Sequence, residues 1–468
     1  MRRSMSMGLA VLCLVICLAV TACGSPAAMR PPPAVPSAYL FHNVRVLYPD
    51  RAEAGPTTTV LVVDGVIAGV GVPDTGTLPE GTQEIDGAGR VLMPGLIDMH
   101  VHIFDEAGLA ANLVHGVTTV RNLGGMPFHP GLARRIEAGR IAGPRLVSTG
   151  PIINERGGRN ANPLQVLVDG ADEARAEVRR QHRRGYRHLK VYSNLSRESF
   201  AAVLDEAAAL GMSVSGHPVE GRPADPMEIG HTLLAGLATI EHAESIVWHG
   251  LDDNPDPAGM TRLAAEFAAA GATVSPTLVV HENLSRIVET RGAHLQRADM
   301  TGFNPVVAGF ERDTYEFWTA YRNEDRTRMQ GVYEEFTGAL HAAGVRLVVG
   351  TDAGIMATPH GVSVLREMEL LVRAGLTPHE ALRAATVNAA DVLGLADRLG
   401  RVEPGYRADL VLADADPRVD FQILRRPAGV MRDGVWYDAV ALAELREAAR
   451  QPGAWRTRRR LLMHFLLK

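Results

Sequence analysis

Four histidines, a lysine and an aspartate of this 468-residue chain stand where their side chains could hold a metal. His100 and His102 lie one residue apart at the end of the apolar run MPGLIDMHVHI, residues 93–103. Along a strand successive side chains alternate faces, so the two imidazoles point the same way, with backbones about 7 Å apart, and can converge on one cation. Alone, such a pair also fits a solvated surface or a hydrogen-bonded core. Lys190 in HLKVYS, His217 in MSVSGHP, His242 in LATIEHA and Asp352 in VRLVVGTDAG repeat the placement, each near the end of an apolar run. Imidazole and carboxylate suit zinc, with manganese, cobalt and iron left open, and a cation so held supports metal-assisted hydrolysis.

These residues need elements that bring them to one end. The eight runs GLIDMHVHI, VTTVRNL, RLVSTGPII, HLKVYS, MSVSGHP, LATIEHA, TVSPTLVV and VRLVVGTDAG read as strands, and Ala-rich helical patterns that stop at Gly lie between them. Strand-helix repeats of this kind over residues 91–400 predict an α/β fold, a (β/α)8 TIM-type barrel whose chemistry sits at the C-terminal strand ends. A doubly wound sheet is disfavoured because no GxGxxG opens a helix after the first strand. The segment from His281 to Gln330 is the longest interruption and reads as a lid. Residues 37–90 and 401–445 carry short alternating segments that predict antiparallel strands, joined from both ends of the chain into a small β-sandwich.

In order, PGLIDMHVH, HLKVYS, SGH, IEHA and GTDAG resemble the amidohydrolase superfamily, in its binuclear subtype with a carboxylated lysine. The resemblance extends over about residues 39–440. It implies that His100 and His102 bind a more buried metal, His217 and His242 a more exposed one, and that Lys190 bridges both as a carbamate made from carbon dioxide. It also implies that Asp352 binds the buried metal and shuttles the proton. Such chemistry is coherent: an ammonium between two dications is disfavoured, whereas the neutral amine can become an anionic carbamate. Two divalent metals, zinc by ligand type, then share a hydroxide that attacks a polarised carbonyl. The texture of LKVYS, SGH, IEHA and GRVEPGYRADLVLAD is most similar to the Xaa-Pro dipeptidase-related group. The substrate implied is a dipeptide or N-acyl amino acid, cleaved at a C–N amide bond.

Other residues carry weaker signals. Tyr192, two after Lys190 and on its face, could polarise a substrate oxygen or merely line the rim. His360, on the loop after the eighth strand, could touch substrate or support a ligand from behind. Arg121 reads as an internal ion pair, and His231 and His281 as structural. Glu220, three after His217, would suit a ring deaminase or cyclic-amide hydrolase, against which Lys190 argues. Sequence alone does not separate amide hydrolysis from a lactonase or esterase, and a non-catalytic surface binding protein is opposed by retention of all six metal residues.

The chain carries 48 Lys and Arg against 53 Asp and Glu, a net charge of -5, which suggests no nucleic-acid partner. Arg2 and Arg3 precede an apolar run too short to span a bilayer, and VTAC ends at Cys23, so residues 1–23 read as a lipoprotein signal with lipidation at Cys23. Residues 24–36 read as a Pro-rich tether that would hold the protein to the membrane of the cell envelope, facing away from the cytoplasm. After removal of Cys13 and Cys17 no internal disulfide could form. Residues 446–468 read as a basic, apolar C-terminal helix that either packs on the barrel or lies on an anionic membrane. Homo-oligomerisation is left open.

Overall fold

The computed structural model describes residues 32, 33, 35–51, 53–71, 78–158, 161–252, 255–322 and 325–467. The expected signal segment, Cys23 and most of the tether lie outside the described residues.

Both ends of the described chain feed one sheet. Strands Ala38–Val46, Thr57–Val63, Val66–Val70, Gln83–Asp86 and Val91–Pro94 join Leu410–Ala413, Gly429–Arg432 and Val435–Tyr437 in a single eight-stranded sheet, where the sequence predicted a sandwich. Two of its hairpins turn on Asp-Gly pairs: Asp64 and Gly65 have φ of 49° and 74°, Asp433 and Gly434 of 54° and 80°. Positive φ at both central positions gives the turn whose twist matches the flanking strands. The predicted antiparallel pairing needs correction for Gln83–Asp86, which runs parallel to Ala38–Val46. Val91–Pro94, read as the start of the barrel, instead joins this sheet, parallel to Ala38–Val46 and antiparallel to Leu410–Ala413. Tyr39, Phe41, Val44, Val60, Leu410 and Met431 are among the buried side chains of this unit.

The middle of the chain forms parallel strands. Leu96–Val101, Val117–Asn122 and Arg145–Ser148 make one group. Val166–Val168, Ile153–Glu155, His188–Val191, Ser213–Gly216, Ile240–Glu241, Thr273–Ser275 and Arg346–Leu347 make another. Parallel bridges link the two groups at Thr149 to His188 and at Val101 to Ala353. At the second junction Met99 N donates to Val349 O at 2.8 Å and His102 N to Ala353 O at 2.7 Å. Helices between the strands bury one face. In Arg197–Ala209, capped by the Ser196 hydroxyl, Phe200, Ala202 and Val203 face inward, and Gly211 at φ 62° turns the chain out.

Two expected strands differ. RLVSTGPII is split into Arg145–Ser148 and Ile153–Glu155. TVSPTLVV stops at Ser275, because Pro276 has no N–H for a ladder and Thr277 adopts φ 51°; helix Leu278–Glu289 begins directly after it. The interruption starting at His281 is therefore helical from its outset. It continues through Pro305–Phe310 and Arg312–Ala320, and it fastens to the loop after Asp352: the Glu311 carboxylate accepts from Met356 N at 2.8 and 3.0 Å, and the Tyr315 hydroxyl accepts from Ala357 N at 2.9 Å.

Between sheet and strands lies a compensated charge cluster. Arg145 is 3.6 Å from both Asp409 and Asp433, and Arg407 is 3.0 Å from Asp433. Arg432, almost fully buried, approaches Asp433 at 3.8 Å.

The end of the chain forms two helices, Ala439–Ala449 and Ala454–Leu467, in place of the single one predicted from residue 446. Pro452 and Gly453 separate them. Asp105 fastens the second: its carboxylate accepts from Gly453 N at 2.8 Å and from the Asn304 amide at 2.7 Å. Arg460 donates to Phe104 O at 2.9 Å and pairs with Glu106 at 2.7 Å. Among the described residues, no helix is long and apolar enough to cross a membrane.

Candidate metal centre

At the C-terminal end of the strand Leu96–Val101, alternation puts Asp98, His100 and His102 on one face. Asp98 works below the centre. Its carboxylate accepts from the backbone N–H groups of His100 and Thr351, both at 3.1 Å, and from the Thr351 hydroxyl at 2.6 Å, which ties the first strand to the segment carrying Asp352. Burial raises this carboxyl to about 7. Gly350 makes the approach between those segments possible, since a Cβ there would lie 2.3 Å from Ser275 Oγ and 2.8 Å from His100 Cβ.

Above Asp98 the ligand candidates meet. His100 Nε2 is 3.0 Å from Lys190 Nζ and 3.2 Å from Asp352 Oδ1, and His102 Nε2 is 2.9 Å from the same Asp352 oxygen. His100, His242 and Asp352 each present a donor atom within 4.8 Å of the others. His217 joins through its ring, centred 4.4 Å from that of His242, and its Nδ1 is buried with no hydrogen-bond partner. Two positions hold strained backbone: His242 has φ 70° and Asp352 φ 60°, conformations that a surrounding structure must impose.

The hydrogen bonds around the imidazoles fix the rings. His100 Nδ1 lies 2.9 Å from Glu241 Oε2, which only accepts when ionised, so Nδ1 carries the proton and Nε2 the lone pair. His242 Nδ1 lies 2.8 Å from the Thr277 hydroxyl, which both donates and accepts and so fixes the ring's orientation rather than its tautomer. Thr277 is thereby diverted from capping helix Leu278–Glu289, and Glu367 caps it instead, accepting from Leu278 N and Val279 N at 3.0 and 2.7 Å. Glu241 is fixed in turn by Arg121, which donates to it at 2.8 Å and also reaches Ser215, Thr239 and Met99 O. Arg121 thus makes the internal ion pair its position suggested.

Burial lowers the His100 imidazole to about 3 and His242 to about 4, and pushes His217 well below its usual value. Burial works to raise the Asp352 carboxyl, yet the neighbouring His100, His102 and His242 hold it well below the carboxylate range. Burial brings Lys190 down to about 8 against the pull of Asp352 and Glu241. At neutral pH His100, His217 and His242 are therefore neutral imidazoles beside an ionised Asp352. The His100 lone pair faces a carboxylate oxygen at 3.2 Å, an opposition that a positive centre beside both would relieve. The only cationic side chain on that nitrogen among the described residues is Lys190. The residues fit a divalent metal.

Other candidates sit further out. The Tyr192 ring packs 4.0 Å from the His217 ring. His360 is not part of the cluster. It occupies a cradle between two glycines, where a Cβ at Gly108 or Gly354 would come within 2.7 or 2.9 Å of its ring, and it hydrogen-bonds the His102 backbone. His231 lies at the surface beside Arg197, while His281 approaches the centre, its ring 6.5 Å from His242 and 5.3 Å from Tyr333. Asp98, Glu241 and Thr277 went unread in the sequence. Asp98 could have been found, two residues before His100 on the same strand face.

Residues 91–437 match the model of the amidohydrolase family. The ochratoxinase of Aspergillus niger is 25% identical over 87% of this chain and 88% of its own. Among solved structures, a putative prolidase from Bifidobacterium longum shares 28% identity over 89% of this chain and 100% of its own, at a TM-score of 0.66. A bottromycin amidohydrolase shares 28% over 88% and 91%, at a TM-score of 0.71. These neighbours imply a TIM-like barrel with an attached β domain.

Proposed function

The chain belongs to the amidohydrolase family, and from that premise we propose an exported, lipid-anchored, metal-dependent hydrolase that cleaves the C–N amide bond of a dipeptide or N-acyl amino acid. The observation that carries the reading is the meeting of His100, His242, Lys190 and Asp352 at one point. In this reading the two groups of parallel strands close into a (β/α)8 barrel spanning 91–400, with 37–90 and 401–445 forming the β domain. The bridges at Thr149 and Val101 support closure.

His100, His102 and Asp352 would hold one cation and His217 and His242 a second, with Lys190 between them. Bound there, divalent cations polarise an amide carbonyl and acidify water. The Lys190 amine, adding carbon dioxide and releasing a proton, becomes an anion and removes the repulsion an ammonium would suffer. Asp352 accepts the proton of the attacking water and delivers it to the leaving nitrogen as the C–N bond breaks, so both carboxylate and amine products leave with balanced protons. Glu241 keeps the lone pair of His100 turned to the centre, and Thr277 fixes the orientation of the His242 ring. Tyr192, packed on the His217 ring, is the candidate donor to a substrate oxygen. The dipeptide assignment draws support from the prolidase neighbour. Export and anchoring draw support from Arg2, Arg3, the apolar run and Cys23.

Metal analysis of the protein, followed by turnover of dipeptides, N-acyl amino acids and lactones, tests the proposal. We expect two metals per chain, hydrolysis of the amides, and loss of both the second metal and turnover in Lys190→Ala. Unchanged turnover after chelation, or full activity of Lys190→Ala with one metal, would overturn it; turnover of lactones alone would replace the amide assignment.

A further inference from the structure

Helix Ala454–Leu467 has an inner face and an outer face of opposite character. Thr457, Leu461 and His464 are buried against the fold, and Arg456 and Arg460 pair with Glu106. The outer face carries Trp455, Leu462, Met463, Phe465, Leu466 and Leu467, between 37% and 68% exposed. These are six of the thirteen exposed large hydrophobic residues among the described residues, and no other element carries more than one. Phe310, itself exposed, extends the strip: with Leu462 and Phe465 it lines a groove of about 490 Å³.

A basic rim runs beside this strip. Arg135, Arg140 and Arg459 line a cavity of about 660 Å³ together with Phe128, Trp455 and Met463, and Glu106 is its one acidic lining residue. Arg459 lies over the Trp455 ring at 5.6 Å. The helix contains four arginines and no carboxylate, on a chain whose net charge is -5. Aromatic and leucine side chains flanked by guanidinium groups suit the boundary between headgroups and acyl chains, where Arg forks bind phosphate.

We infer that the outer face of the C-terminal helix docks on an anionic phospholipid bilayer, its apolar strip entering the interface and a lipid phosphate entering the cleft between Arg140 and Arg459. A second copy of the chain, seated symmetrically on the same face, would set arginine against arginine, so charge favours the lipid. The contact is additional to any anchor at Cys23, and it would orient the protein on the surface.

The test uses the full chain and vesicles carrying brominated acyl chains. The first 36 residues contain no tryptophan, so Trp455 reports the helix even if the leader itself holds the chain to a vesicle. Emission should be quenched several-fold more strongly by phosphatidylglycerol vesicles than by phosphatidylcholine vesicles, and Trp455→Phe should lose most of that difference. Replacing Arg140, Arg458 and Arg459 by Gln, all outside the Glu106 ion pairs, should lower the phosphatidylglycerol-dependent quenching at least tenfold, from about fivefold per arginine near an anionic surface. An unchanged melting temperature in these variants shows that the fold is kept. Equal quenching by both lipids, quenching that survives in Trp455→Phe, or concentration-dependent self-association that shields Trp455 without a lipid response would overturn the inference.

Discussion

Where the β domain meets the parallel strands, Asp409 and Asp433 face Arg145, Arg407 and Arg432, and every close approach is between opposite charges. At the far ends of the strands, His100, His102 and Asp352 converge with Lys190 instead, and the sharpest contact sets an imidazole lone pair against a carboxylate oxygen. The first cluster balances charge at 3.0 to 3.8 Å, as buried charge does when it holds two units together, although Asp409 Oδ2, Asp433 Oδ1 and nitrogens of Arg145 and Arg432 are buried without a hydrogen-bond partner. The second is satisfied from outside, by Glu241, Thr277 and Asp98, in a way that leaves its inner atoms unfulfilled. Burial alone does not separate the two. What separates them is the kind of group brought face to face: guanidinium against carboxylate in the first, imidazole nitrogen against carboxylate oxygen in the second.

The two clusters should fail differently. Asp352→Asn should lower turnover about 10³-fold or more while the melting temperature barely moves, as for loss of a general acid-base group; steady-state kinetics and thermal unfolding report both. Asp409→Ala, which leaves Arg145 and Arg432 short of a carboxylate, should cost about 3 kcal/mol in denaturant unfolding with kcat of the folded fraction unchanged. An equal loss of turnover there would erase the distinction. Glu241→Gln should weaken metal binding about 10- to 100-fold in a chelator competition, because the proton on His100 Nδ1 is no longer held in place.

The smallest effect concerns pH at a third ion pair. Burial acts to raise the Glu106 carboxyl, but Arg460 and then Arg456 more than offset it and hold it below the ordinary glutamate value. A lowered folded pKa means stabilisation that is complete above the unfolded value, about 4.3, and lost as pH falls through the folded one. Hydrogen exchange of the terminal helix should therefore be constant from pH 7 to about 5, after scaling for intrinsic rates, and rise below about 4. Glu106→Gln should remove that acid dependence and expose the helix at neutral pH, by about 2 kcal/mol.

The local rules of the chain made part of this visible. Strand alternation set His100 and His102 on one face, and their rings do lie 5.5 Å apart toward one carboxylate. Gly211 and Gly271 ended their helices in the left-handed conformation, as their positions predicted. The partners of the ligands were hidden because they come from afar: Glu241 is 141 residues from His100, and only packing reveals the pair. His242 turns at φ 70°, so the alternation that served for His100 could not say that Glu241 and His242 both contribute. Thr277 was concealed for a related reason, since TVSPTLVV read as one strand and gave its hydroxyl no partner. His360, on a loop at the right end of the strands, left two roles open in the sequence, and the structure sets it against the His102 backbone, which accords with the supporting one.

The corner that follows His102 is completed from the opposite extremity of the polypeptide, since Asp105 receives Gly453 and Phe104 receives Arg460. Translation therefore delivers this fastening only after all six candidate ligands have been made. A chain truncated before residue 453 would keep those six residues and lose the clasp beside them.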